Sequence, residues 1–255
     1  MTTTEESFAG TDVRDPERTL VCAHRGASLR LPDNSIDAFQ AAIESGCEMI
    51  ETDVRADRQG RPVLSHDRLR PISPGRRHGR PRSRRATGRP RPRPRRSRPK
   101  APAPVALEAL LELSAGRIGL DLEIKEPRVV PVLLDAIAGW DGSLLLTSFD
   151  PAAIRAVRER DPSRATGLIA GPMHLGDPLA DALACDAQAL MLAERRLTAK
   201  LLAARSLPLW VWTVNQPERL TRWLSEPALQ GVITDDPATA IAVRDGLSRD
   251  GTDFT

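Results

Sequence analysis

Short apolar runs alternate with helix-like segments along most of the chain, and this alternation limits the fold more than any other feature. The first run, residues 19–24, precedes a segment that Ser35 caps as a helix and that ends at Gly46. Repeated strand–helix units predict a parallel sheet covered by helices, either a closed eight-stranded barrel or an open doubly wound sheet. The further extended runs are 47–54, 62–66, 118–124, 143–149, 166–171, 188–193, 207–214 and 231–235.

Nine extended runs are one more than an eight-stranded barrel can hold. The link from Val54 to Pro62 is shorter than the crossover of about a dozen residues that two parallel strands need. We therefore expect either that one of these two runs forms a side ribbon or that one of the later runs is not a strand.

Length and composition indicate one large soluble domain. The chain has 255 residues, of which 40% are hydrophobic, and this is enough to build a core. It contains no apolar run of membrane-spanning length, so we expect no stable membrane insertion, and its polar start does not resemble a signal peptide. Three cysteines in apolar contexts indicate core thiols in a reducing compartment, which predicts a cytoplasmic protein. We expect a domain over 19–245 between disordered tails at 1–18 and 246–255.

One tract, residues 71–104, carries the whole basic excess of the chain. It holds twelve Arg, one Lys, nine Pro and no acidic residue; without it, 24 basic residues remain against 34 acidic ones, a net charge of −10. The tract has almost no apolar residue and is predicted to be disordered or extended. It is the only feature that points to nucleic acid, and it has no aromatic side chains to stack on bases. Two explanations stay open, a basic binding arm and a reading-frame slip in the gene.

Polar residues close several of the predicted strands at their carboxyl ends. In a barrel these ends surround one mouth, so the side chains would converge, whereas an open sheet would scatter them. The barrel is therefore the favoured fold. The residues are His24 and Arg25, Glu51 and Asp53, His66 and Asp67, Glu123 and Lys125, and Trp212 and Asn215.

The residue types in this set indicate chemistry at a phosphoryl centre. The carboxylates Glu51, Asp53 and Glu123 suit a hard divalent cation, Mg²⁺ or Ca²⁺, better than zinc. The two histidines suit a general acid and a general base near neutral pH. Arg25 and Lys125 supply positive charge for an anionic substrate, and arginine matches the geometry of a phosphate.

Each residue also has a simpler structural explanation. A histidine at a strand end is commonly a hydrogen-bonded structural residue, and Glu51 with Asp53 could form a solvated edge. Glu123 and Lys125 could form an ordinary ion pair, and Trp212 could belong to the core.

Eight segments in order resemble the glycerophosphodiester phosphodiesterase family, from about residue 20 to residue 240 and excepting the basic tract. They are AHRGAS (23–28), LPDNSIDAF (31–39), MIETDV (49–54), GRPVLSHD (60–67), LDLEIK (120–125), TSF (147–149), VWTVN (211–215) and GVITDDP (231–237).

The resemblance implies a TIM-type (β/α)8 barrel that hydrolyses glycerophosphodiesters to glycerol 3-phosphate and an alcohol with a divalent cation. The matching positions are Glu51, Asp53 and Glu123 for the metal ligands, His24 and His66 for the acid–base pair, Arg25 and Lys125 for the phosphate contacts, and Trp212 for an aromatic side chain that lines the pocket. One histidine would help a glycerol hydroxyl attack phosphorus while the other protonates the leaving alcohol.

Two features depart from the family pattern. PDNS at 32–35 stands where the family usually has P-E-N-T, and the basic tract stands where the family has an insertion that encloses the glycerol end of the substrate. Two alternatives to an active glycerophosphodiesterase therefore stay open. One is an impaired barrel with a polyanion-binding arm, and the other is a barrel phosphodiesterase acting on lysophospholipids, for which no apolar lip is visible in the sequence. The oligomeric state stays open.

Overall fold

The computed structural model describes residues 18–68 and 103–250, with side chains up to 247. Within these residues there are ten strands and eight α-helices. The strands are β1 (Leu20–His24), β2 (Met49–Ala56), β3 (Pro62–Leu64), β4 (Val105–Ala106), β5 (Gly119–Ile124), β6 (Leu144–Ser148), β7 (Ala165–Ala170), β8 (Ala189–Ala193), β9 (Leu209–Trp212) and β10 (Leu229–Thr234). The helices are α1 (Ile36–Glu44), α2 (Leu107–Ser114), α3 (Val130–Ala136), α4 (Pro151–Arg160), α5 (Pro178–Ala184), α6 (Ala199–Ala204), α7 (Pro217–Leu224) and α8 (Pro237–Asp250).

Eight of the strands form a closed parallel barrel. Strands β2, β5, β6, β7, β8, β9 and β10 follow one another, and β1 closes the ring by pairing with both β10 and β2. Ala23 of β1 lies opposite Ile50 on one side and Thr234 on the other. The chain thus forms the predicted TIM-type (β/α)8 barrel, and the open sheet is excluded.

The surplus extended run, predicted at 62–66, forms a side ribbon. Strand β3 pairs antiparallel with the end of β2, with Val54 opposite Leu64, and the two-residue strand β4 pairs with β3. Pairing to β3 keeps Val105 and Ala106 extended, so α2 begins only at Leu107. The short link from β2 to β3 suits an antiparallel turn, as its length required.

Helix boundaries follow local capping chemistry. The Ser35 side chain accepts a hydrogen bond from the Ala38 backbone N–H at the start of α1, as the sequence predicts. After the helix, Gly46 has a φ of +76°, a left-handed conformation that glycine adopts without strain. Helix α4 begins with Pro151 behind the Asp150 cap, a position that suits the fixed φ of proline.

The barrel strands separate two layers of buried side chains. Outward residues such as Ile50 and Leu122 pack under the helices, and inward residues such as Met49 and Trp210 fill the lower part of the barrel. Side chains alternate along a strand, so Glu51 and Asp53 of β2 share the inward face with Met49. The pairing of β2 with β5 sets Glu51 beside Asp121 and Asp53 beside Glu123. A band of carboxylates therefore lies above the apolar filling, towards the carboxyl ends of the strands.

Several predictions concern residues outside the described ones. They are residues 1–17 of the tail predicted over 1–18, residues 251–255 of the tail predicted over 246–255, and most of the basic tract, since only residues 103 and 104 of it are described. Residues 246–250 of the second predicted tail belong to helix α8. The domain limits 19–245 likewise stay a prediction. No helix among the described residues is both long and apolar enough to span a bilayer.

Candidate active site

Three buried carboxylates meet at the mouth of the barrel. Glu51, Asp53 and Glu123 are 5%, 0% and 6% exposed, and each offers an oxygen within 4.8 Å of the oxygens of the other two. They come from adjacent parallel strands, so barrel pairing alone is sufficient to bring them together. An all-oxygen donor set of this size suits Mg²⁺ or Ca²⁺, as the sequence predicts.

Two cations lie against this cluster. Lys125 Nζ is 2.6 Å from both Asp53 Oδ1 and Glu123 Oε1. The Lys125 and Glu123 side chains are only 10% and 8% exposed, so the alternative of an ordinary ion pair at the surface is wrong. Arg25 Nε is 3.1 Å from Asp53 Oδ2, and its terminal nitrogen reaches Asp33 at 3.3 Å. With Asp121 below the cluster, four acidic groups face two cations. This imbalance is one that a divalent cation would neutralise.

The pKa values of the cluster diverge. Burial raises the pKa of Glu51 well above its ordinary range, and the neighbouring charges of Asp53 and Glu123 raise it further. Burial also raises the pKa of Glu123, and the nearby charge of Lys125 offsets only part of this rise. At Asp53 burial acts in the same direction, but Lys125 and Arg25 outweigh it and lower the pKa.

A fourth carboxyl group lies beneath the cluster. Asp121 is buried and accepts a 2.6 Å hydrogen bond from Thr147 Oγ1. Burial raises its pKa from 3.8 to about 7, although the bond from Thr147 acts in the opposite direction. Asp121 was not among the predicted site residues, although its position two residues before Glu123 places it on the same inward face of the strand.

The loop after β1 reaches over the cluster. Asn34 Nδ2 donates to Asp53 Oδ2 at 2.8 Å, and Asn34 Oδ1 accepts from Thr52 Oγ1 at 2.6 Å. These two bonds fix the Asp53 carboxylate from above and explain the amide within PDNS, to which the sequence analysis gave no role. Nearer the strand, Gly26 has a φ of +81°, and an added Cβ would lie 2.6 Å from the Ala38 carbonyl carbon. Only glycine fits there.

His24 lies at the edge of the cluster and is joined to the last strand. Its Nδ1 is 2.6 Å from Asp235 Oδ1, and its Nε2 is 3.9 Å from Glu51 Oε2. The backbone N–H of Arg25 also donates to Glu51 Oε2 at 3.1 Å, which ties the end of β1 to the carboxylates. Asp235 was not among the predicted site residues, although the segment GVITDDP places it directly after β10.

His66 does not join this constellation. Its side chain is 46% exposed, and its Nδ1 lies 3.1 Å from Asp67 Oδ1. Within the described residues it makes no hydrogen bond or ion pair with the carboxylates. Its backbone is close to them, because the Ser65 N–H donates to the Asp53 carbonyl at 2.8 Å.

Two aromatic rings form one wall of the mouth. Trp212 and Phe149 meet edge to face with centroids 5.7 Å apart, and Lys125 Nζ is 5.9 Å from the centre of the Phe149 ring. Trp212 is partly exposed, and its indole N–H donates to the Met191 carbonyl at 3.2 Å. Phe149 was not among the predicted site residues, although it lies in the family-like segment TSF (147–149).

Fold and site together define the class. It is a (β/α)8-barrel protein whose strands carry, at their carboxyl ends, a cluster of buried carboxylates paired with Arg25 and Lys125. The sequence profile of the glycerophosphoryl diester phosphodiesterase family matches residues 24–89 and 121–239, which is more than half of the chain. The chain belongs to this family and is an enzyme of it.

Three known proteins of the same family are similar to this chain along nearly their whole length. A glycerophosphodiester phosphodiesterase of Caldanaerobacter subterraneus is 28% identical in an alignment of 253 residues. The match covers 88% of this chain and 97% of the relative. A phosphodiesterase of Oleispira antarctica, solved in complex with the product sn-glycerol-3-phosphate, superposes with a TM-score of 0.71 at 19% identity, over 90% of this chain and 98% of that one. For a Thermotoga maritima glycerophosphodiester phosphodiesterase the TM-score is 0.63 at 22% identity, over 89% and 98%. The two structures show the shared fold.

Proposed function

We propose that the chain hydrolyses glycerophosphodiesters to glycerol 3-phosphate and an alcohol, with Mg²⁺ or Ca²⁺ held by Glu51, Asp53 and Glu123. One observation carries the proposal: these three buried carboxylates lie within 4.8 Å of one another at the barrel mouth. The product bound in the Oleispira structure is the product proposed here. When bound, the cation would polarise a phosphate oxygen and lower the barrier to attack at phosphorus.

Arg25 and Lys125 are proposed to receive the phosphate. Both nitrogen groups already lie against Asp53, so they are held at the site before substrate arrives. A preorganised cation stabilises charge that develops on the phosphate oxygens at little reorganisation cost. The rings of Trp212 and Phe149 are proposed to border the glycerol carbons, and the partial exposure of Trp212 supports this function over a purely structural one.

His24 and His66 are proposed as the acid–base pair. One takes the proton from the glycerol hydroxyl next to the phosphate as that oxygen attacks phosphorus, and the other protonates the alcohol oxygen as its bond to phosphorus breaks. This attack leaves a cyclic glycerol phosphate, which water then opens to glycerol 3-phosphate. His24 Nε2 faces the carboxylates in the structure, whereas His66 must turn inward from its contact with Asp67 for this role.

Single substitutions test this assignment. His24→Ala and His66→Ala should each reduce the release of glycerol 3-phosphate from glycerophosphocholine by at least about a hundredfold, the usual range for a lost acid or base. The matched control is His174→Ala. His174 lies away from the three site carboxylates, and its Nε2 is 2.9 Å from Asp181 Oδ2. Circular dichroism should show that all three variants are folded. Near-normal turnover in either mouth variant would refute its role.

A second candidate substrate class is favoured by exposed apolar side chains that the sequence analysis did not identify as a lip. Phe149 follows β6, and Met173 and Leu175 lie on the loop after β7; they are 47%, 84% and 88% exposed. Both loops are at the carboxyl face of the barrel, so these side chains could contact the acyl chain of a lysophospholipid. The double variant Met173→Ser with Leu175→Ser should then lower turnover of lysophosphatidylcholine and not that of glycerophosphocholine. Leu183→Ser, on helix α5, is the control. Equal turnover of lysophosphatidylcholine in the double variant and the control would exclude this class.

The cytoplasmic location remains a proposal. It is supported by the three cysteines, which are all free and buried.

A further inference from the structure

The closure of the barrel places a carboxylate directly behind His24. Ala23 of β1 pairs with Thr234 of β10, so the next residues along each strand, His24 and Asp235, lie side by side. Asp235 Oδ1 is 2.6 Å from His24 Nδ1, although 211 residues separate the two in sequence. The other ring nitrogen, Nε2, faces Glu51.

The Asp235 carboxylate is itself held on both oxygens. Asn215 Nδ2 donates to Oδ2 at 2.6 Å, and Ser28 Oγ lies 3.2 Å from Oδ1 and 2.7 Å from the His24 carbonyl oxygen. The Asn215 amide cannot be reversed, because its Oδ1 already accepts from Thr234 Oγ1 at 3.0 Å and from the Asp235 backbone N–H at 2.9 Å. Asn215 therefore presents a donor to Asp235.

We propose that Asp235 is a positioning residue that keeps the neutral imidazole of His24 in its Nδ1–H tautomer, so that the lone pair of Nε2 points into the active site. An ionised carboxylate can only accept hydrogen bonds, so the nitrogen next to it must carry the proton. Asn215 and Ser28 fix the direction of the carboxylate and with it the plane of the ring. This inference rests on the proposed function of His24 and extends it to a second layer of residues.

The charge state of Asp235 agrees with this arrangement. Burial on its own would raise the pKa of Asp235, but the hydrogen bonds from His24, Asn215 and Ser28 hold that pKa below its ordinary value. The carboxylate is therefore the form that His24 meets at neutral pH.

The structure predicts what Asp235→Asn will do. Asn215 still presents a donor, so the new amide must turn its oxygen to Asn215 and its NH₂ group to His24 Nδ1. Ser28 Oγ can accept from the same NH₂ group while donating to the His24 carbonyl. Nδ1 then becomes the acceptor and the proton moves to Nε2, which loses the lone pair that a general base needs. A nearly isosteric change thus reverses the tautomer.

Nitrogen-15 NMR of the imidazoles tests this prediction without any activity assay. The chain has four histidines, and His24→Ala identifies the signals of His24. We expect the Nδ1–H pattern in the wild type, the Nε2–H pattern in Asp235→Asn, and an unchanged wild-type pattern in Asp236→Asn. Asp236→Asn is the matched control, because it is the same chemical change one residue away. Asp236 accepts a hydrogen bond from Thr239 Oγ1 at 2.8 Å. An Nε2–H pattern in the wild type, or an unchanged one in Asp235→Asn, would overturn the proposal.

Kinetics separate positioning from a merely structural role. We expect Asp235→Asn to lower kcat for glycerophosphocholine by at least about a hundredfold with KM within a few-fold of wild type. If Asp235 were only structural, the isosteric Asn would preserve kcat, and that result would contradict the proposal.

Failure of the proposed function gives a different result. In that case His24→Ala would retain full turnover, while the NMR pattern would still show whether Asp235 sets the tautomer.

Discussion

Lys125 Nζ lies 2.6 Å from Asp53 Oδ1 at the centre of the barrel mouth, where the Asp53 side chain is fully buried and the Lys125 side chain is 10% exposed. The same nitrogen lies 2.6 Å from Glu123 Oε1. Lys125 thus neutralises the same carboxylates that a divalent cation would bind. In the absence of a cation, the lysine is the main compensation for their mutual repulsion.

Lys125→Met should therefore destabilise the metal-free protein and make it more responsive to metal. Leaving buried carboxylates without their partner typically costs about 3 to 5 kcal/mol. Thermal unfolding in EDTA should show a lowered Tm, and added Ca²⁺ should raise the Tm of the variant by more than it raises that of the wild type. The control is Arg128→Met, which removes an exposed ion pair with Glu126 and should change little. An equal Ca²⁺-induced shift in variant and wild type would contradict this reading.

Metal affinity should increase with pH because of Glu51. Burial and the neighbouring carboxylates raise its pKa, so the proton it holds must leave before a cation can bind. In the range where that proton is bound, affinity should rise by up to about tenfold per pH unit for one released proton. Titration calorimetry in two buffers of different ionisation enthalpy measures the release directly. Glu51→Gln should bind metal more weakly and release fewer protons per cation bound. An unchanged number of released protons would contradict the assignment to Glu51.

The metal-free protein should lose stability as the pH rises, through Asp121. Its pKa in the folded protein is about 7 against an ordinary value of 3.8, so the folded state holds this proton more tightly than the unfolded state does. The stabilisation is complete below pH 3.8 and is lost as the pH rises through about 7.

Asp121→Asn should remove this loss, because an amide accepts from Thr147 without ionising. Above pH 7 its free energy of unfolding should exceed that of the wild type by up to about 4 kcal/mol. Urea unfolding in EDTA across this pH range checks the prediction, with the exposed Asp135→Asn as control. Parallel pH profiles for Asp121→Asn and wild type would show that Asp121 is not responsible.

Gly26→Ala tests the backbone turn that carries His24 and Arg25 into the site. The added methyl group meets the Ala38 backbone at 2.6 Å and requires a left-handed φ of +81°, so we expect a loss of about 2 to 4 kcal/mol. Gly139→Ala, where nothing lies within 4 Å of the new Cβ, is the matched control and should change stability little. Chemical denaturation measures both. A loss at Gly26 no greater than at Gly139 would show that the loop gives way easily.

Sequence periodicity limited the fold to a barrel or an open sheet, and the polar residues at the strand ends favoured the barrel, in which Glu51, Asp53 and Glu123 come together. All three lie on the inward face of adjacent parallel strands, so the pleat and the register determine their position. The side ribbon was also foreseeable, since the link between β2 and β3 is too short for a crossover. These features depend on local pattern and on one general rule of sheet topology.

The contacts that depend on loop conformation could not be predicted. The bond from Asn34 to Asp53 requires a left-handed residue in the loop after β1, with a φ of +53°. The outward position of His66 depends on a segment after β3 that has no periodic pattern. The pairing of His24 with Asp235 depends on the register in which the first and last strands close the barrel, which no local pattern encodes.

The measurement that tests the central claim most directly is the release of glycerol 3-phosphate from glycerophosphocholine by the purified chain, with Mg²⁺, with Ca²⁺ and with EDTA. We predict turnover that depends on one of the two cations, stops in EDTA and is lost in Glu123→Gln. Turnover that persists undiminished in EDTA, or no turnover from a folded protein that binds the cation, would contradict the account.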